Sequence, residues 1–358
     1  MRKKVAFIMK NVKNKYSGGR IHGLNIATGL SEIGFEVDYY SNVKPIFFDE
    51  LSNGNINLIL NKYFIFLPKY KKYDYIFVVP HFSTVKNHFF DKLFFYKFSS
   101  SLKRINNSKL FFIDFESPNW VKEYNKILPS KFAYENSDSF IKHVDSIISS
   151  SFTGNKYSKI YYSQKKSTLE FQVLNPPINS FIADKIQEIE KQNSVIFFAR
   201  FESNHKSSEI LFMIIESLPF GYTLNIITNK KFLNNDTQNK IHELSIKNGI
   251  IIKILDKIND KEKFKYLAQS KLLIFASKFE GFGLPPVESQ YMNTPVICSD
   301  LPVLREINKN AIFDDFNSKN ILRDKIVAVI NTPSKDFKAS VESFAKFENF
   351  VEKLKNIL

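Results

Sequence analysis

Short runs of β-branched and aromatic residues alternate along this chain with longer amphipathic stretches, and this alternation limits its fold more than any other feature. In the first half, the runs predict strands at residues 5–9, 35–40, 75–79, 110–113 and 146–149. In the second half, they predict strands at residues 195–199, 223–228, 250–254, 272–276 and 295–298. A periodic stretch at 19–33 predicts the first helix. Alternation of this kind is typical of an α/β protein whose parallel sheet is covered by helices on both faces.

A proline-containing segment separates the two series. Residues 171–180 contain Pro176 and Pro177, which stiffen the backbone and suit a linker between domains. With 358 residues, the chain has the length of two ordinary domains. We therefore predict domains over 1–174 and 175–340. Apolar residues at helical spacing predict a terminal helix over 341–358 that packs back on the first domain.

Composition excludes several classes of protein. Hydrophobic residues make up 44% of the chain and charged residues 24%, as in an ordinary globular protein. No apolar run reaches the roughly 18 residues of a membrane-spanning helix, and the first apolar run is too short for a signal peptide. The single cysteine, Cys298, excludes an intrachain disulfide and a cysteine-cluster metal site. We expect a cytoplasmic protein.

The positive charge lies mostly in the first half. Residues 1–178 hold 26 Lys and Arg residues against 14 Asp and Glu residues, a net charge of +12 out of +15 for the chain. Such a charge suits a nucleic acid, an anionic membrane surface or an acidic ligand. General solubility is the alternative explanation.

Glycine is rare and clustered. Of 11 glycines, five lie in residues 18–34, and Gly281 and Gly283 form a second group. Both clusters follow a predicted strand and precede a predicted helix, where open α/β sheets bind ligands. Tight strand-to-helix turns without a ligand are the alternative.

The second cluster carries the more specific pattern. Pro286 suits the first position of a helix, which places Glu288 in its first turn and predicts free N–H groups over about 283–287. These donors suit a phosphate, while Glu280 and Glu288 suit neutral hydroxyls on either side of it. A nucleotide sugar has this pattern of groups. Alternatively, Glu288 is a favourable charge at a helix N-terminus.

This segment resembles the E-x7-E motif of glycosyltransferase family 4. It reads EGFGLPPVE and is followed by NTPVICSDLPVLREI. Three more segments resemble family motifs and occur in the expected order: SGGRIHGLNIATGLSEIGFEVDYYS, VLNPPI and FFARFESNHKS. The resemblance implies a GT-B fold, in which two Rossmann-like domains face each other across a cleft. It also implies hexosyl transfer with retention of anomeric configuration, with the acceptor on the first domain and the donor on the second.

The resemblance also implies roles for residues of the motif. Glu288 would bind the ribose hydroxyls, and Glu280 the donor sugar. Backbone N–H groups of Phe282, Gly283 and Leu284 would contact the sugar or the diphosphate.

Further roles follow from the other segments. Arg200 and Lys206 would neutralise the diphosphate as it leaves, although both are the kind of basic residue that is often simply exposed. Gly18 and Gly19 would let the first domain's backbone approach the donor. No Asp-x-Asp sequence is present, so we expect no metal ion and no other cofactor to be required.

One family feature is replaced. A His-Asp pair often precedes a proline in the first domain, where this chain has FFIDFESPNW. Asp114 is a candidate for the hydroxyl contact of that histidine, and Glu116 for orienting the acceptor. Loop capping explains both equally well. His81, which follows a predicted strand, is a further candidate on the acceptor side.

Residues 88–104 combine aromatic and basic side chains. The apolar stripe and the basic residues are Phe89, Phe90, Leu93, Phe94, Lys92, Lys97, Lys103 and Arg104. This composition suits a helix at an anionic membrane surface. A core helix with solvated lysines is the alternative. The charge asymmetry by itself predicts peripheral binding to the inner face of the cytoplasmic membrane.

The predicted activity is thus sugar transfer from a nucleotide sugar to a glycan or lipid-linked glycan, in the synthesis of a bacterial surface polysaccharide such as capsule or lipopolysaccharide. A nucleotide-sugar epimerase of the same architecture is the nearest alternative. Nucleic-acid binding is a weaker one, since no known recognition motif is present.

Overall fold

A computed structural model gives the structure of residues 3–13, 18–52, 55–64, 72–80, 89–124, 131–201, 209–332 and 336–358. The chain divides into two compact units. The first unit comprises Met1–Pro177 and Phe347–Leu358, and the second comprises Ile178–Lys346.

The first unit is built on a parallel sheet of seven strands. The strands are β1 (Lys4–Met9), β2 (Glu36–Ser41), β3 (Ile56–Leu60), β4 (Tyr75–Val79), β5 (Lys109–Asp114), β6 (Ser146–Ser149) and β7 (Glu170–Val173). The helices are α1 (Gly18–Glu32), α2 (Phe48–Leu51), α3 (Phe89–Asn106), α4 (Pro118–Tyr124), α5 (Lys131–Phe140) and α6 (Phe152–Tyr162). The order β3-β2-β1-β4-β5-β6-β7 places the reversal of strand order between β1 and β4.

Both faces of this sheet are buried, as the apolar runs predict. In β1, Phe7 belongs to a core cluster that includes residues of α1, whereas Ile8 belongs to a second cluster that includes residues of α3. Three aromatic rings stack across adjacent strands, with centroids 6.1 Å apart for Phe7 and Phe77 and 4.6 Å apart for Phe77 and Phe111. Continuous apolar strands therefore form the centre of a doubly wound sheet.

The second unit repeats the architecture with six parallel strands. They are β8 (Gln192–Phe198), β9 (Thr223–Thr228), β10 (Ile251–Asp256), β11 (Ser270–Phe275), β12 (Val296–Ser299) and β13 (Ile312–Asp314). The helices are α7 (Ser180–Ala183), α8 (Ile210–Ser217), α9 (Asn235–Asn248), α10 (Asp260–Gln269), α11 (Leu284–Tyr291), α12 (Pro302–Ile307), α13 (Lys319–Ile330) and α14 (Lys338–Ala345). The order β10-β9-β8-β11-β12-β13 reverses between β8 and β11. The predicted fold class, two α/β parallel-sheet domains, is confirmed.

The end of the chain differs from the single helix that its periodicity predicts. Helix α14 packs on α11 of the second unit, and after an extended Lys346 the chain continues as α15 (Phe347–Ile357), which packs on α1 of the first unit. The apolar spacing continues through the break because each half has its own buried face. Only the second half of the predicted helix returns to the first unit.

Where its side chains are described, helix α3 packs into the core of the first unit, which is the alternative to a helix at a membrane surface. Phe95, Phe98 and Leu102 are buried in the core of the first unit. Lys92 is 2% exposed, so it does not contribute a charge to a membrane-facing surface. The side chains of Phe89 and Phe90 lie outside the described residues. None of the described helices combines the length and the hydropathy that a bilayer crossing needs.

Candidate active site

The candidate donor site begins at the carboxyl end of β11, one of the two strands at which the second sheet reverses its order. Ligands of doubly wound sheets bind at such switch points. The loop that follows is held by Ser277, whose Oγ donates to Glu280 Oε1 at 2.7 Å and to the carbonyl of Phe279 at 3.0 Å. Its N–H in turn donates to Ser299 Oγ at 2.8 Å. Glu280 is thereby fixed, partly buried, where the loop turns towards α11.

Gly283 shapes the entry into α11. Its φ of +91° lies in the region that favours glycine, and a Cβ added there would lie 2.5 Å from Leu304 Cδ2. The preceding side chain, Phe282, is buried with its ring edge-on to Phe344 at 6.4 Å between centroids. Packing thus holds both the side chain of Phe282 and the buried Gly283 in place at the start of α11.

The start of α11 has fewer free backbone N–H groups than the sequence pattern predicts. The helix begins at Leu284, so Pro285 and Pro286 occupy its second and third positions and have no N–H to offer. The N–H of Val287 lies far enough into the helix to form an intrahelical hydrogen bond. Within the described residues, the N–H groups of Gly283 and Leu284 form no hydrogen bond. The expected anion site over 283–287 is therefore narrowed to two adjacent donors.

Glu288 has a partner that the sequence analysis did not find. Its side chain is 7% exposed, and its Oε1 lies 2.6 Å from Nζ of Lys263 on α10. Burial raises the pKa of Glu288 above its usual value, while the charge of Lys263 opposes that rise. Because α11 begins at Leu284, Glu288 lies beyond the first turn, where the helix dipole has its effect. The ion pair with Lys263, rather than the helix end, dominates the surroundings of this carboxylate.

A signal for Lys263 exists in the sequence. The buried face of α10 is formed by Lys263, Phe264, Leu267 and Ala268, which recur at helical spacing. A lysine on the apolar stripe of an amphipathic helix needs a buried anion as its partner.

The proposed diphosphate-neutralising residues follow β8, the neighbour of β11 at the switch point. Arg200 is exposed two residues after the end of this strand, at the same edge of the sheet as Glu280. Lys206 lies outside the described residues. The structure therefore brings Arg200 to the same sheet edge as the loop that holds Glu280.

In the first unit, Gly18 and Gly19 begin α1. A Cβ on Gly19 would lie 3.1 Å from the ring of Phe115, so close packing is one reason for a small residue there. Phe115 also packs against His22, with ring centroids 5.6 Å apart. Burial lowers the pKa of His22 to about 3, so this histidine is neutral.

Asp114 ends β5 and is buried. It accepts a short hydrogen bond from Ser158 Oγ, which also receives one from Ser149 Oγ at 3.2 Å. Burial raises the pKa of Asp114 to about 7. These contacts favour a structural role, and a hydroxyl-binding role for Asp114 stays a prediction. Glu116 is exposed in the following loop, and His81 lies outside the described residues.

The described residues contain no group of three or more His, Cys, Asp or Glu side chains placed to hold a metal ion.

Comparison with known sequences gives a family match over the second unit. Residues 179–352 match the sequence model of the family described as "Glycosyl transferases group 1". The match covers just under half of the chain. The O-antigen chain mannosyltransferase RfbU of Salmonella typhimurium is 24% identical over 234 residues, which cover 64% of this chain and 56% of the Salmonella protein. The match thus spans little more than half of that relative.

Solved structures confirm the fold of the whole chain. Sucrose-phosphate synthase from Thermosynechococcus elongatus superposes with a TM-score of 0.73 at 15% identity, covering 99% of this chain and 98% of the other. The Anabaena protein Alr3699/HepE, in complex with UDP and glucose, gives 0.70 at 14% identity, covering 99% of both chains. The fold of this chain is GT-B, as the resemblance implies.

Proposed function

We propose that the protein is a retaining glycosyltransferase that moves a hexose from a nucleotide sugar to a glycan acceptor in the synthesis of a bacterial surface polysaccharide. The loop from Glu280 to Glu288 carries the proposal. It lies at the switch point of the second sheet and presents two backbone donors between two carboxylates. The family match of this region supports sugar transfer, and the likeness to an O-antigen mannosyltransferase supports a polysaccharide product.

Each group of the loop suits one part of the donor. The N–H groups of Gly283 and Leu284, at the positive end of α11, suit an oxygen of the diphosphate. A carboxylate accepts hydrogen bonds from hydroxyls, so Glu288 suits the hydroxyls of the ribose and Glu280 those of the sugar. The order of these groups along the loop follows the order of the parts of a nucleotide sugar.

The reaction needs a cation near the leaving group. Breaking the bond between sugar and phosphate builds negative charge on the diphosphate, which fixed cations and helix dipoles stabilise. Arg200 and Lys206 are the residues we assign to this role, so a metal ion is not required. In front-face transfer, the leaving phosphate accepts the proton of the acceptor hydroxyl.

Donor binding is tested by calorimetry with UDP and GDP as probes. We expect one of them to bind and the Glu288→Gln variant to lose about 1.5–3 kcal/mol of binding free energy, the contribution of hydrogen bonds to a charged acceptor. Gln is preferred to Ala because Ala leaves Lys263 buried beside a cavity. Glu243→Ala, an exposed site on α9, is the control. Equal affinity of Glu288→Gln and unchanged protein would refute the assignment.

Retention is tested by proton NMR of the early product. The anomeric proton should show the configuration of the donor, whereas an inverted product would exclude the proposed mechanism. Omission of the acceptor separates transfer from epimerisation, since an epimerase changes the donor sugar without one.

Peripheral membrane binding through the first domain is proposed from its net charge of +12. Anionic vesicles should sediment the protein, and salt should weaken the binding because it screens the charges. If the protein stays in the supernatant at low salt, an acceptor in solution is favoured instead.

A further inference from the structure

A chain of buried and partly buried polar contacts leads to the candidate ribose-binding carboxylate. Lys263 Nζ lies 2.6 Å from Glu288 Oε1 and 2.9 Å from Asp260 Oδ1. Asp260 Oδ2 accepts a hydrogen bond from Asn179 Nδ2 at 3.1 Å. Asn179 is the second residue of the second unit, next to the point where the chain enters it.

The position of Lys263 is fixed by the structure around it. Helix α10 starts with a capping box between Asn259 and Glu262, which sets the first turn on which Lys263 lies. The ammonium is nearly enclosed, and two carboxylates hold it in place. Burying such a charge is unfavourable unless it is paired, so the network keeps one geometry.

The contacts leave half of the carboxylate available. Lys263 bonds to Oε1 of Glu288, and within the described residues no hydrogen bond occupies Oε2. The charges that act on Glu288 are those of Lys263 and Asp260. Helix α14 also packs against α11, but its charged residues form ion pairs with residues other than Glu288: Lys338 pairs with Asp184, and Glu342 pairs with Lys346.

On the basis of the proposed function, we infer that Lys263 is a positioning residue for the donor. Its ammonium keeps the buried carboxylate of Glu288 ionised and turned so that the second oxygen meets the ribose hydroxyls. Without this charge, burial shifts the balance towards the protonated carboxyl group, which is itself a donor. Lys263 touches neither the sugar nor the phosphate in this role.

The test compares nucleotide affinity across pH 6 to 9, with UDP and GDP as the probes. In Lys263→Met, we expect affinity about tenfold lower at pH 7, the effect of one charge-assisted hydrogen bond, and recovery as the pH rises and Glu288 ionises. Lys261→Met changes an exposed lysine of the same helix and should bind like the unchanged protein. The double variant Lys263→Met/Glu288→Gln should show no recovery.

A second measurement needs no ligand. Carbon-13 NMR of labelled Glu carboxyls, assigned with Glu288→Gln, should show Glu288 titrating at higher pH in Lys263→Met than in the unchanged protein. Lys263→Gln, which is neutral but keeps a hydrogen-bond donor, replaces the Met variant if that variant does not fold.

The outcomes separate the two claims. Failure of the unchanged protein to bind either nucleotide counts against the proposed function, while the carboxyl titration still tests the coupling between Lys263 and Glu288. Unchanged affinity in Lys263→Met, or an equal loss at every pH, overturns the positioning role.

Discussion

Replacing Gly283 with alanine tests the geometry of the donor loop directly. The residue has a φ of +91°, and the new Cβ would lie 2.5 Å from Leu304 Cδ2. Leu304 is fully buried on α12, so it has little room to move. The substitution therefore combines a backbone penalty with a steric one.

Both penalties can be estimated. A left-handed backbone costs a residue with a Cβ about 1–2 kcal/mol, and overpacking in a core costs about 1–3 kcal/mol. Gly283→Ala should thus lower the free energy of unfolding by about 2–5 kcal/mol. Gly221→Ala is the matched control in the same unit, since its φ is +78° and a Cβ there meets nothing within 4 Å. It should lose only the backbone part.

The assay is urea unfolding followed by circular dichroism. The only tryptophan, Trp120, lies in the first unit, so its fluorescence does not report directly on the second. Nucleotide affinity should fall in Gly283→Ala and stay unchanged in Gly221→Ala, because only the former moves the N–H groups of the loop. If the two variants lose equal stability, the close packing of Gly283 on Leu304 is not the constraint we describe.

Three further predictions concern the other candidate residues. The pKa of about 7 for Asp114 lies above the usual 3.8, so the native state binds an extra proton between these values. The free energy of unfolding should therefore fall as the pH rises from about 4 to 7. Asp114→Asn should remove up to about 4 kcal/mol of this pH dependence, as measured by urea unfolding at each pH. Gly29→Leu should lower the melting temperature followed by Trp120 fluorescence, since a Cβ on Gly29 already lies 3.0 Å from Leu354 Cδ2 on α15; an unchanged melting temperature would contradict the packing of α15 on α1. Arg200→Ala should lower the turnover rate more than it lowers donor affinity in steady-state kinetics. The activity of the unchanged protein should survive EDTA, and loss of activity in EDTA that a divalent ion restores would contradict metal-free transfer.

The central strands and the edge strand β10 could be predicted from the sequence, whereas the other three edge strands could not. Each predicted strand is present within a few residues of its expected place, because a strand buried on both faces appears as a continuous apolar run. The strands β3, β7 and β13 were missed. They lie at sheet edges and are partly exposed, so their sequences lack such a run.

The candidate site was predictable where a short segment forms it. The loop from Glu280 to Glu288 follows a strand and precedes a helix, as its glycines and prolines indicate. The partner of Glu288 comes from α10, 25 residues earlier in the sequence, so no local pattern pairs it with Lys263. The loss of donors at Pro285 and Pro286 depends on the position at which the helix begins, which sequence patterns locate only within a few residues.

Sugar transfer itself is the most direct test of the account. The purified protein is incubated with labelled UDP-glucose or GDP-mannose and a lipid-linked saccharide extract from cells that produce it, and nucleoside diphosphate and glycosylated product are quantified. We predict equal amounts of both with one of these donors, only in the presence of acceptor, and a large reduction in Glu288→Gln. Release of no nucleoside diphosphate by the folded protein from either donor, or conversion of the donor sugar without acceptor, would contradict the proposal that this protein is a glycosyltransferase.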